Sequence, residues 1–290
     1  MRLGNLAGRA VLINNIKALD IETASEGKFG SDCAHLWQNW KAFYDWAKDI
    51  DVDAHPLAAG FELKALLAPS PKPSQIFAIG LNYADHAAEA KLPIPTNPLV
   101  FTKFASSLAG THCTVKLSSE HVDWEAELVV VIGRGGRNIS EADAFAHIAG
   151  FAVGQDISDR PVQLWGAPAA QFSLGKSFEN YSPIGPVVVT IDEVAAHANP
   201  NALAISCAIK HEDGTLSKVQ QGNTRDLIFP IASLVARLSQ IVALTAGDLI
   251  FTGTPAGVGI GRTPKMYLKP GDRLTTTIEG VGQITQEFYQ

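Results

Sequence analysis

Short apolar runs separated by turn-forming residues dominate the chain from residue 72 to its end. β-Branched and aromatic runs bounded by Gly, Pro, Asn and Asp are typical of β-strands. Strands outnumber helices and do not alternate with them regularly, so the pattern indicates a mixed α+β fold on a strand-rich core rather than a doubly wound sheet. The predicted strands are Gln75–Ile79, Leu99–Lys103, Thr114–Leu117, Asp123–Gly133, Phe151–Ile157, Pro186–Thr190, Leu203–Lys210, Asp248–Thr252 and Arg273–Ile278.

Helical patterns are few in this region. Ser140 is a typical N-cap residue and predicts a helix over residues 140–148. A second helix is predicted over residues 224–239. The alanine-rich segment 84–90 favours a short helix that ends before Pro93.

The first 68 residues have a different pattern and predict a small N-terminal α/β appendage. Two short strands, around Arg2–Leu6 and Ala10–Ile13, precede a helical segment rich in aromatic residues. Tryptophans at helical spacing most often pack a core. The proline-rich segment 68–74 cannot continue a helix and is typical of a semi-rigid linker or an entry strand. We therefore predict two domains, residues 1–68 and residues 72–290.

The composition is that of an ordinary globular enzyme. Of the 290 residues, 46% are hydrophobic and 18% are charged, and the formal net charge is −6. An acidic chain without a Lys/Arg cluster is a poor partner for nucleic acid. Three widely spaced cysteines suit a reducing compartment. No signal-peptide pattern occurs, and no apolar run approaches the ~20 residues of a membrane span. We expect a cytoplasmic protein without nucleic-acid or membrane partners.

Carboxylates alternate at the start of one predicted strand. Because side chains on a strand alternate between faces, Asp123, Glu125 and Glu127 project from the same side. Unpaired carboxylates that lead into a core repel one another, and a divalent cation with oxygen ligands (Mg²⁺, Mn²⁺ or Ca²⁺) would keep them ionised. Asp156, at the end of the next strand, could complete the oxygen cage. The alternatives are an edge strand with a solvated acidic face and an aspartate that caps a turn.

Two other segments have residues suited to catalysis or binding. On the short helix, His86 and Glu89 are three residues apart, and a histidine with a carboxylate partner is a recurrent general base. An exposed histidine with a fortuitous neighbour would give the same pattern. The segment 247–259 is a strand followed by a loop of glycines and threonines, which exposes groups suited to a carboxylate or phosphate. It lacks the lysine spacing of a P-loop.

Taken in order, five segments make this chain resemble the fumarylacetoacetate hydrolase family. The resemblance covers roughly residues 73–290, and its specificity lies in the number and order of the motifs. It implies a β-rich mixed roll of the type of that family's C-terminal domain, usually in homodimers. The matching segments are GLNYADHAAE (80–89), VDWEAELVVVIG (122–133), QDISDR (155–160) with a following Gln163, GKSF (175–178) and GDLIFTGTPAGVG (247–259).

The resemblance also implies site residues. By the match, Glu125, Glu127 and Asp156 would hold Mg²⁺ or Mn²⁺, with Ca²⁺ as a substitute in crystals. His86 and Glu89 would form a water-activating pair on a lid helix.

Further matched positions would contact the substrate. Lys176, a lone lysine that would otherwise be read as a solvated charge, resembles the lysine that stabilises a developing enolate. Arg160 and Gln163 fall where substrate-contacting residues occur, and Thr254 looks like the carboxylate-binding threonine.

Some positions depart from the family pattern or are not matched to a role. Lys103 is followed by Phe104 where many relatives carry proline, and Arg160 is followed by Pro161 where an acid is common. Both changes lie near the expected substrate pocket and bear on substrate identity. Asp123 is not matched to a metal ligand, and we expect it to matter less for metal binding.

The residues and the resemblance together predict a Mg²⁺- or Mn²⁺-dependent hydrolase that cleaves a C–C bond in a β-diketo acid of the acylpyruvate type. A 2-oxo acid decarboxylase of the oxaloacetate type and a 2-hydroxydienoate isomerase could use the same site, because fold and metal do not separate these reactions. An alternative of another class is a non-catalytic protein that binds metal and a small acid.

Overall fold

The computed structural model describes residues 1–14 and 16–290. The strands are β1 (Arg2–Leu6), β2 (Arg9–Asn14), β3 (Lys17–Asp20), β4 (Ala59–Gly60), β5 (Leu66–Leu67), β6 (Ile76–Gly80), β7 (Leu99–Thr102), β8 (Leu108–Ala109), β9 (His112–Lys116), β10 (Val122–Asp123), β11 (Ala126–Ile132), β12 (Ile148–Gln155), β13 (Ser158–Asp159), β14 (Ser182–Thr190), β15 (Ala204–Lys210), β16 (Leu216–Asn223), β17 (Leu249–Phe251), β18 (Arg273–Ile278) and β19 (Gly282–Tyr289). The α-helices are α1 (Ile21–Ala24), α2 (Cys33–Gln38), α3 (Trp40–Ala47), α4 (Ala84–Glu89), α5 (Arg160–Gln163), α6 (Phe172–Gly175), α7 (Ile191–Ala195) and α8 (Ile231–Ile241).

Within the described residues, two large sheets and one small one account for the strands. The 12-stranded sheet has the order β4-β3-β2-β1-β14-β12-β11-β17-β6-β7, with β5 paired to β1 and β8 to β14. The five-stranded sheet has the order β16-β15-β18-β19-β9, and β10 pairs with β13. Most pairs are antiparallel, but β17 with β6, β19 with β9 and β14 with β8 are parallel. The predicted strand-rich, mixed α+β architecture is confirmed.

The large sheet is the middle layer of the molecule. Every residue of β11 is buried, as expected for a strand that is covered on both faces. Leu128 and Val130 belong to a core shared with the five-stranded sheet. Val129 and Val131 belong to a second core, which includes the aromatic residues of α2 and α3. The alternation of the strand therefore divides its apolar side chains between two cores.

The N-terminal strands continue the large sheet. Strand β1 pairs with β14, with Leu3 opposite Val188, and β2, β3 and β4 extend the sheet from there. Helices α2 and α3 cover one face with stacked and tilted aromatic rings, among them Trp37 and Trp40 at a centroid distance of 4.9 Å. The aromatic residues of the predicted helical segment therefore pack against the large sheet. The domain division near residue 70 stays a prediction.

The helix predicted over residues 140–148 is wrong. Ser140 does act as a cap, because its Oγ accepts a hydrogen bond from the Asp143 N–H at 3.1 Å. The turn that follows is only a 3₁₀ segment, Ala144–His147, and strand β12 begins at Ile148. The apolar residues of β12 pair with β11 on one side and β14 on the other, and this tertiary pairing outweighs the local helical signal.

The second predicted helix begins seven residues later than expected. Thr224–Asp226 is a separate 3₁₀ turn, and α8 starts at Ile231 after Pro230. Proline disfavours helical geometry in the residue before it, so the helix cannot extend back through Phe229.

Three strands of at least four residues were not predicted: β3, β16 and β19. Strand β16 has the sequence LSKVQQGN, in which polar residues outnumber apolar ones and the alternation is weak. Among the described residues, none of the helices combines the length and apolar character needed to cross a membrane.

Candidate active site

Three carboxylates converge where β11 and β12 lie side by side. Glu127 is the second residue of β11 and pairs with Gly154, Asp156 directly follows β12, and Glu125 directly precedes β11. One oxygen from each carboxylate lies within 4.8 Å of the others. Their exposed fractions are 7% for Glu125, 1% for Glu127 and 0% for Asp156, so the solvated-edge alternative does not apply.

The predicted strand 123–133 is interrupted, and this corrects the simple alternation argument. Trp124 and Glu125 lie outside any strand, between β10 and β11. Asp123 turns away from the acidic cluster and accepts hydrogen bonds from the N–H groups of Gly259 at 2.7 Å and Ile260 at 2.9 Å. It lies outside the group of three carboxylates that could hold a metal.

Two buried lysines contact the acidic cluster. Lys176 Nζ is 2.6 Å from Glu125 Oε2 and 2.6 Å from Asp156 Oδ2. Lys103 Nζ donates to Asp156 Oδ1 and to the main-chain carbonyl of Lys176. Lys103 was given no role from the sequence, although a lysine directly after an apolar strand run was a signal that could have identified it. The lysines neutralise Asp156 from two sides.

The charges are unevenly compensated. Burial raises the pKa of Glu127 well above its ordinary value, and the nearby charges of Asp156 and Glu125 add to the effect. Burial acts in the same direction on Glu125, but Lys176 and Arg160 outweigh it and lower the pKa of that carboxyl. Glu127 is therefore the carboxylate whose negative charge is least balanced by neighbouring cations. A divalent cation that prefers oxygen ligands would supply the missing positive charge, so the three carboxylates fit Mg²⁺ or Mn²⁺.

Arg160 connects this cluster to Asp123. Its Nε donates to Asp123 Oδ2 at 2.8 Å, and its Nη1 lies 2.8 Å from Glu125 Oε1. The same nitrogen donates to Gln163 Oε1 at 2.8 Å. Both predicted contact residues lie on the short helix α5, whose N-cap Asp159 accepts a hydrogen bond from the Val162 N–H.

The predicted acid–base pair is formed. His86 Nδ1 lies 3.1 Å from Glu89 Oε2, on helix α4, which matches the predicted short helix. Glu89 Oε1 accepts a hydrogen bond from the Gly257 N–H at 3.0 Å, so the glycine loop fixes the carboxylate that orients the imidazole. The same loop also contacts the acidic cluster through the Gly253 N–H, which donates to Glu127, so one loop connects the pair to the cluster.

Thr254 is buried, and its hydroxyl is engaged by the protein. The hydroxyl donates to the Ala126 carbonyl at 2.9 Å and accepts from Gln220 Nε2 at 2.7 Å. The neighbouring Gly253 N–H donates to Glu127 Oε2 at 2.7 Å. The predicted role of Thr254 in carboxylate binding stays a prediction, and it would require this hydroxyl to exchange partners.

Comparisons with known proteins identify the family of this chain. Residues 75–289, which include all nine predicted site residues, match the family model described as fumarylacetoacetate (FAA) hydrolase C-terminal. The chain belongs to the fumarylacetoacetate hydrolase family. The human protein named oxaloacetate tautomerase FAHD2A, mitochondrial, is 44% identical over 220 residues, or 75% of this chain and 67% of that protein.

Solved structures show the same fold. A Mycobacterium smegmatis protein with the provisional name HpcE is 49% identical, with a TM-score of 0.89 over 99% of both chains. Maleylpyruvate hydrolase from Sphingobium sp. SYK-6, solved with manganese(II) and pyruvate, is 27% identical, with a TM-score of 0.79 over 100% of this chain and 99% of that chain. The family thus includes proteins named for different reactions, and membership alone does not select among them.

We predict that Glu127→Gln strongly weakens divalent-metal binding. The substitution preserves the size of the side chain but removes an anionic ligand. Mn²⁺ affinity should therefore fall by at least about a hundredfold, which exceeds the usual loss for a residue that only orients a ligand. Isothermal calorimetry measures the affinity directly. The control is Glu120→Gln, the same change at an exposed position, which should bind like the unmodified protein. Equal affinity in both variants would contradict the assignment.

We also predict that metal stabilises the fold. An ion that binds only the folded state at 100 times its dissociation constant contributes about 2.7 kcal/mol. For 290 residues with an unfolding entropy of about 2.1 cal/mol/K per residue, that corresponds to a rise in Tm of roughly 4–5 °C. Thermal melts in EDTA and in Mg²⁺ or Mn²⁺ measure the rise, which should vanish in Glu127→Gln. A rise of the same size in that variant would place the ion elsewhere.

Proposed function

We propose that this protein is a divalent-metal-dependent enzyme that interconverts the enol and keto forms of a short 2-oxo acid of the oxaloacetate type. The observation that supports the proposal most is the hydrogen-bonded pair His86–Glu89 beside a buried group of three carboxylates and Lys176. Such a site has the parts for moving a proton to and from a carbon next to a carbonyl. The name of the human relative, which is 44% identical, favours the same substrate class.

When bound, the divalent ion held by Glu125, Glu127 and Asp156 would supply Lewis-acid polarisation of the 2-oxo group. Lys176 donates a hydrogen bond to the oxygen on which negative charge develops and so stabilises the enolate. His86 accepts the C3 proton at Nε2, because its Nδ1–H is directed to Glu89. The Glu89 carboxylate stabilises the resulting imidazolium, and His86 returns the proton to carbon or to oxygen.

A second candidate is the C–C hydrolase predicted from the sequence. In that reaction His86 takes a proton from water, and the hydroxide attacks the carbonyl beyond the bond to be broken. The fixed orientation of Glu89 by the Gly257 N–H favours this role as well, because water activation needs a well-oriented base. Hydrolysis and decarboxylation release the enolate of pyruvate, whereas tautomerisation forms the enolate of the oxaloacetate-type acid itself. Each is the enolate of a 2-oxo acid, so the three reactions share the role of Lys176.

Three assays separate the candidates. With oxaloacetate added as the enol, tautomerisation removes enol absorbance without releasing pyruvate, whereas decarboxylation releases pyruvate. With acetylpyruvate, hydrolysis forms pyruvate and acetate. We expect metal-dependent loss of oxaloacetate enol absorbance as the fastest reaction. Acetylpyruvate cleavage without any acceleration of enol decay would establish the hydrolase instead, and metal binding without any of these activities would establish the non-catalytic alternative.

We predict that His86→Ala lowers the rate of enol–keto conversion about 10²–10⁴-fold, the usual range for a lost general base. Hydrolysis, if present, should fall likewise, and decarboxylation should fall less because it needs no hydrolytic water. Mn²⁺ affinity should stay unchanged, since His86 is not among the three carboxylate ligands. The control is His197→Ala, at a largely exposed histidine. Equal loss of all reactions would assign His86 to substrate binding.

The homodimer and the cytoplasmic location also remain proposals. Large apolar residues are exposed beside the edge strand β7 and helices α5 and α6, among them Phe104, Trp165 and Leu174, and such residues favour a protein interface. Light scattering after size-exclusion chromatography measures the oligomeric state. The human relative is named as mitochondrial, so the location of one relative does not support the cytoplasmic proposal.

A further inference from the structure

The interruption between β10 and β11 leaves three successive main-chain N–H groups without a strand partner. Side chains accept all three hydrogen bonds: Asp123 Oδ1 from Trp124, Gln155 Oε1 from Glu125 and Gln220 Oε1 from Ala126. The distances are 2.8 Å, 2.9 Å and 2.9 Å. These contacts surround the main chain of Glu125, and the last lies directly between Glu125 and Glu127. The conformation of the acidic segment therefore depends on two glutamine side chains.

Gln155 connects the acidic segment to the five-stranded sheet. It is the last residue of β12 and the residue before Asp156, and it is 0% exposed. Its Nε2 donates to Thr276 Oγ1 on β18 at 2.7 Å, and the Cys207 sulfur on β15 lies 3.4 Å away. One side chain thus contacts the backbone of Glu125 and two strands of the opposite sheet.

Gln220 makes a similar connection and adds the glycine loop. It lies on β16, at the edge of the five-stranded sheet, and is 2% exposed. While its Oε1 accepts from the Ala126 N–H, its Nε2 donates to Thr254 Oγ1 at 2.7 Å and to the Pro255 carbonyl at 2.8 Å. The same side chain therefore holds the acidic segment and the loop that follows β17.

Glutamine is well suited to these positions. Its amide offers an acceptor and two donors at one end of a flexible chain, so it can satisfy an N–H group and a hydroxyl or carbonyl together. A carboxylate would lack the donors and would add a negative charge close to acids that already repel one another. An apolar side chain would leave buried main-chain N–H groups without an acceptor. Because unpaired buried N–H groups are costly, the main chain of the acidic segment would shift to find other partners.

We propose that Gln155 and Gln220 are positioning residues that set the geometry of the carboxylate cluster from the five-stranded sheet, and that Gln220 also sets the position of the Thr254 loop relative to it. The proposal rests on the metal-dependent function proposed above. Neither glutamine contacts the metal or the substrate in this account. Both act through the main chain of the residues that would contact the metal or the substrate.

The test compares Gln155→Met, Gln220→Met and the control Gln221→Met, which makes the same change at an exposed residue next to Gln220. Mn²⁺ affinity is measured by electron paramagnetic resonance at a temperature where near-ultraviolet circular dichroism shows each variant folded. We expect both buried variants to bind Mn²⁺ about 10–100-fold more weakly than the control, the usual range for residues that orient metal ligands. In steady-state assays, only Gln220→Met should also raise the KM for the 2-oxo acid, because only Gln220 holds the Thr254 loop.

Folded variants with a lowered Tm but the Mn²⁺ affinity of the control would overturn the proposal, because the glutamines would then be structural alone. If Gln220→Met does not fold, Gln220→Asn takes its place, because it keeps the amide on a side chain one methylene shorter; it should bind Mn²⁺ several-fold more weakly than the control, and unchanged binding would overturn the role of Gln220. If Gln155→Met does not fold, Thr276→Val tests Gln155 more mildly, since it removes the hydroxyl that accepts from Gln155 Nε2. It should weaken Mn²⁺ binding by several-fold, and unchanged binding would overturn the role of Gln155. The affinity measurement is independent of turnover, so a protein that is inactive on every substrate tested would refute the proposed function and still allow this inference to be judged.

Discussion

Seven buried charged side chains in one small volume constrain the rest of this structure. A charge removed from water is costly unless it is paired, and breaking one pair leaves its partner uncompensated. The acids exceed the cations by one, and this imbalance is concentrated at Glu127, whose pKa is raised by burial and by its neighbours. The acids are Asp123, Glu125, Glu127 and Asp156, and the cations are Lys103, Arg160 and Lys176.

The charged side chains come from separate elements, so the fold must bring those elements together in one register. The loop 253–261 is a clear example, because acids of the site bind its main chain. Glu127 accepts from the Gly253 N–H, Glu89 from the Gly257 N–H and Asp123 from the Gly259 N–H. Gly257 has φ +110°, which favours glycine. A Cβ on Gly259 would lie 2.8 Å from Asp123 Oδ1, and a Cβ on Gly261 would lie 2.5 Å from Glu89 Cδ, so larger residues do not fit beside these carboxylates. The loop is rich in glycine because carboxylates must reach its backbone.

Much of the site could be predicted from the sequence, and the rest depends on tertiary contacts. The spacing of Glu125 and Glu127 predicted a shared face, and family resemblance selected Asp156; the structure brings all three together. The break at Trp124 and Glu125 was not predictable, because it depends on hydrogen bonds that the main chain donates to Gln155 and Gln220, which are distant in sequence. The fold, too, could be predicted in part, and the rest of it depends on tertiary contacts.

Strands with strong apolar alternation were predicted, whereas β16 was missed and the segment 140–148 was assigned incorrectly, each for a physical reason. Strand β16 is polar because it lies at a sheet edge and contributes Gln220 to the site rather than a continuous apolar face. The segment 140–148 has a genuine cap at Ser140, but pairing of the following residues with β11 and β14 ends the helical turn. Local signals therefore identified the chemistry of single residues better than they identified the boundaries of elements.

In the proposed function, one divalent ion held by Glu125, Glu127 and Asp156 supplies the positive charge that Glu127 lacks and releases Lys176 to the substrate. A crystal structure with Mn²⁺ and oxalate, with the metal located by anomalous scattering, tests it most directly. We predict a single anomalous peak bounded by Glu125, Glu127 and Asp156, with Lys176 Nζ moved from its present position between Glu125 and Asp156. An anomalous peak elsewhere, or Lys176 still bridging these two carboxylates in a Mn²⁺-saturated crystal, would contradict the account.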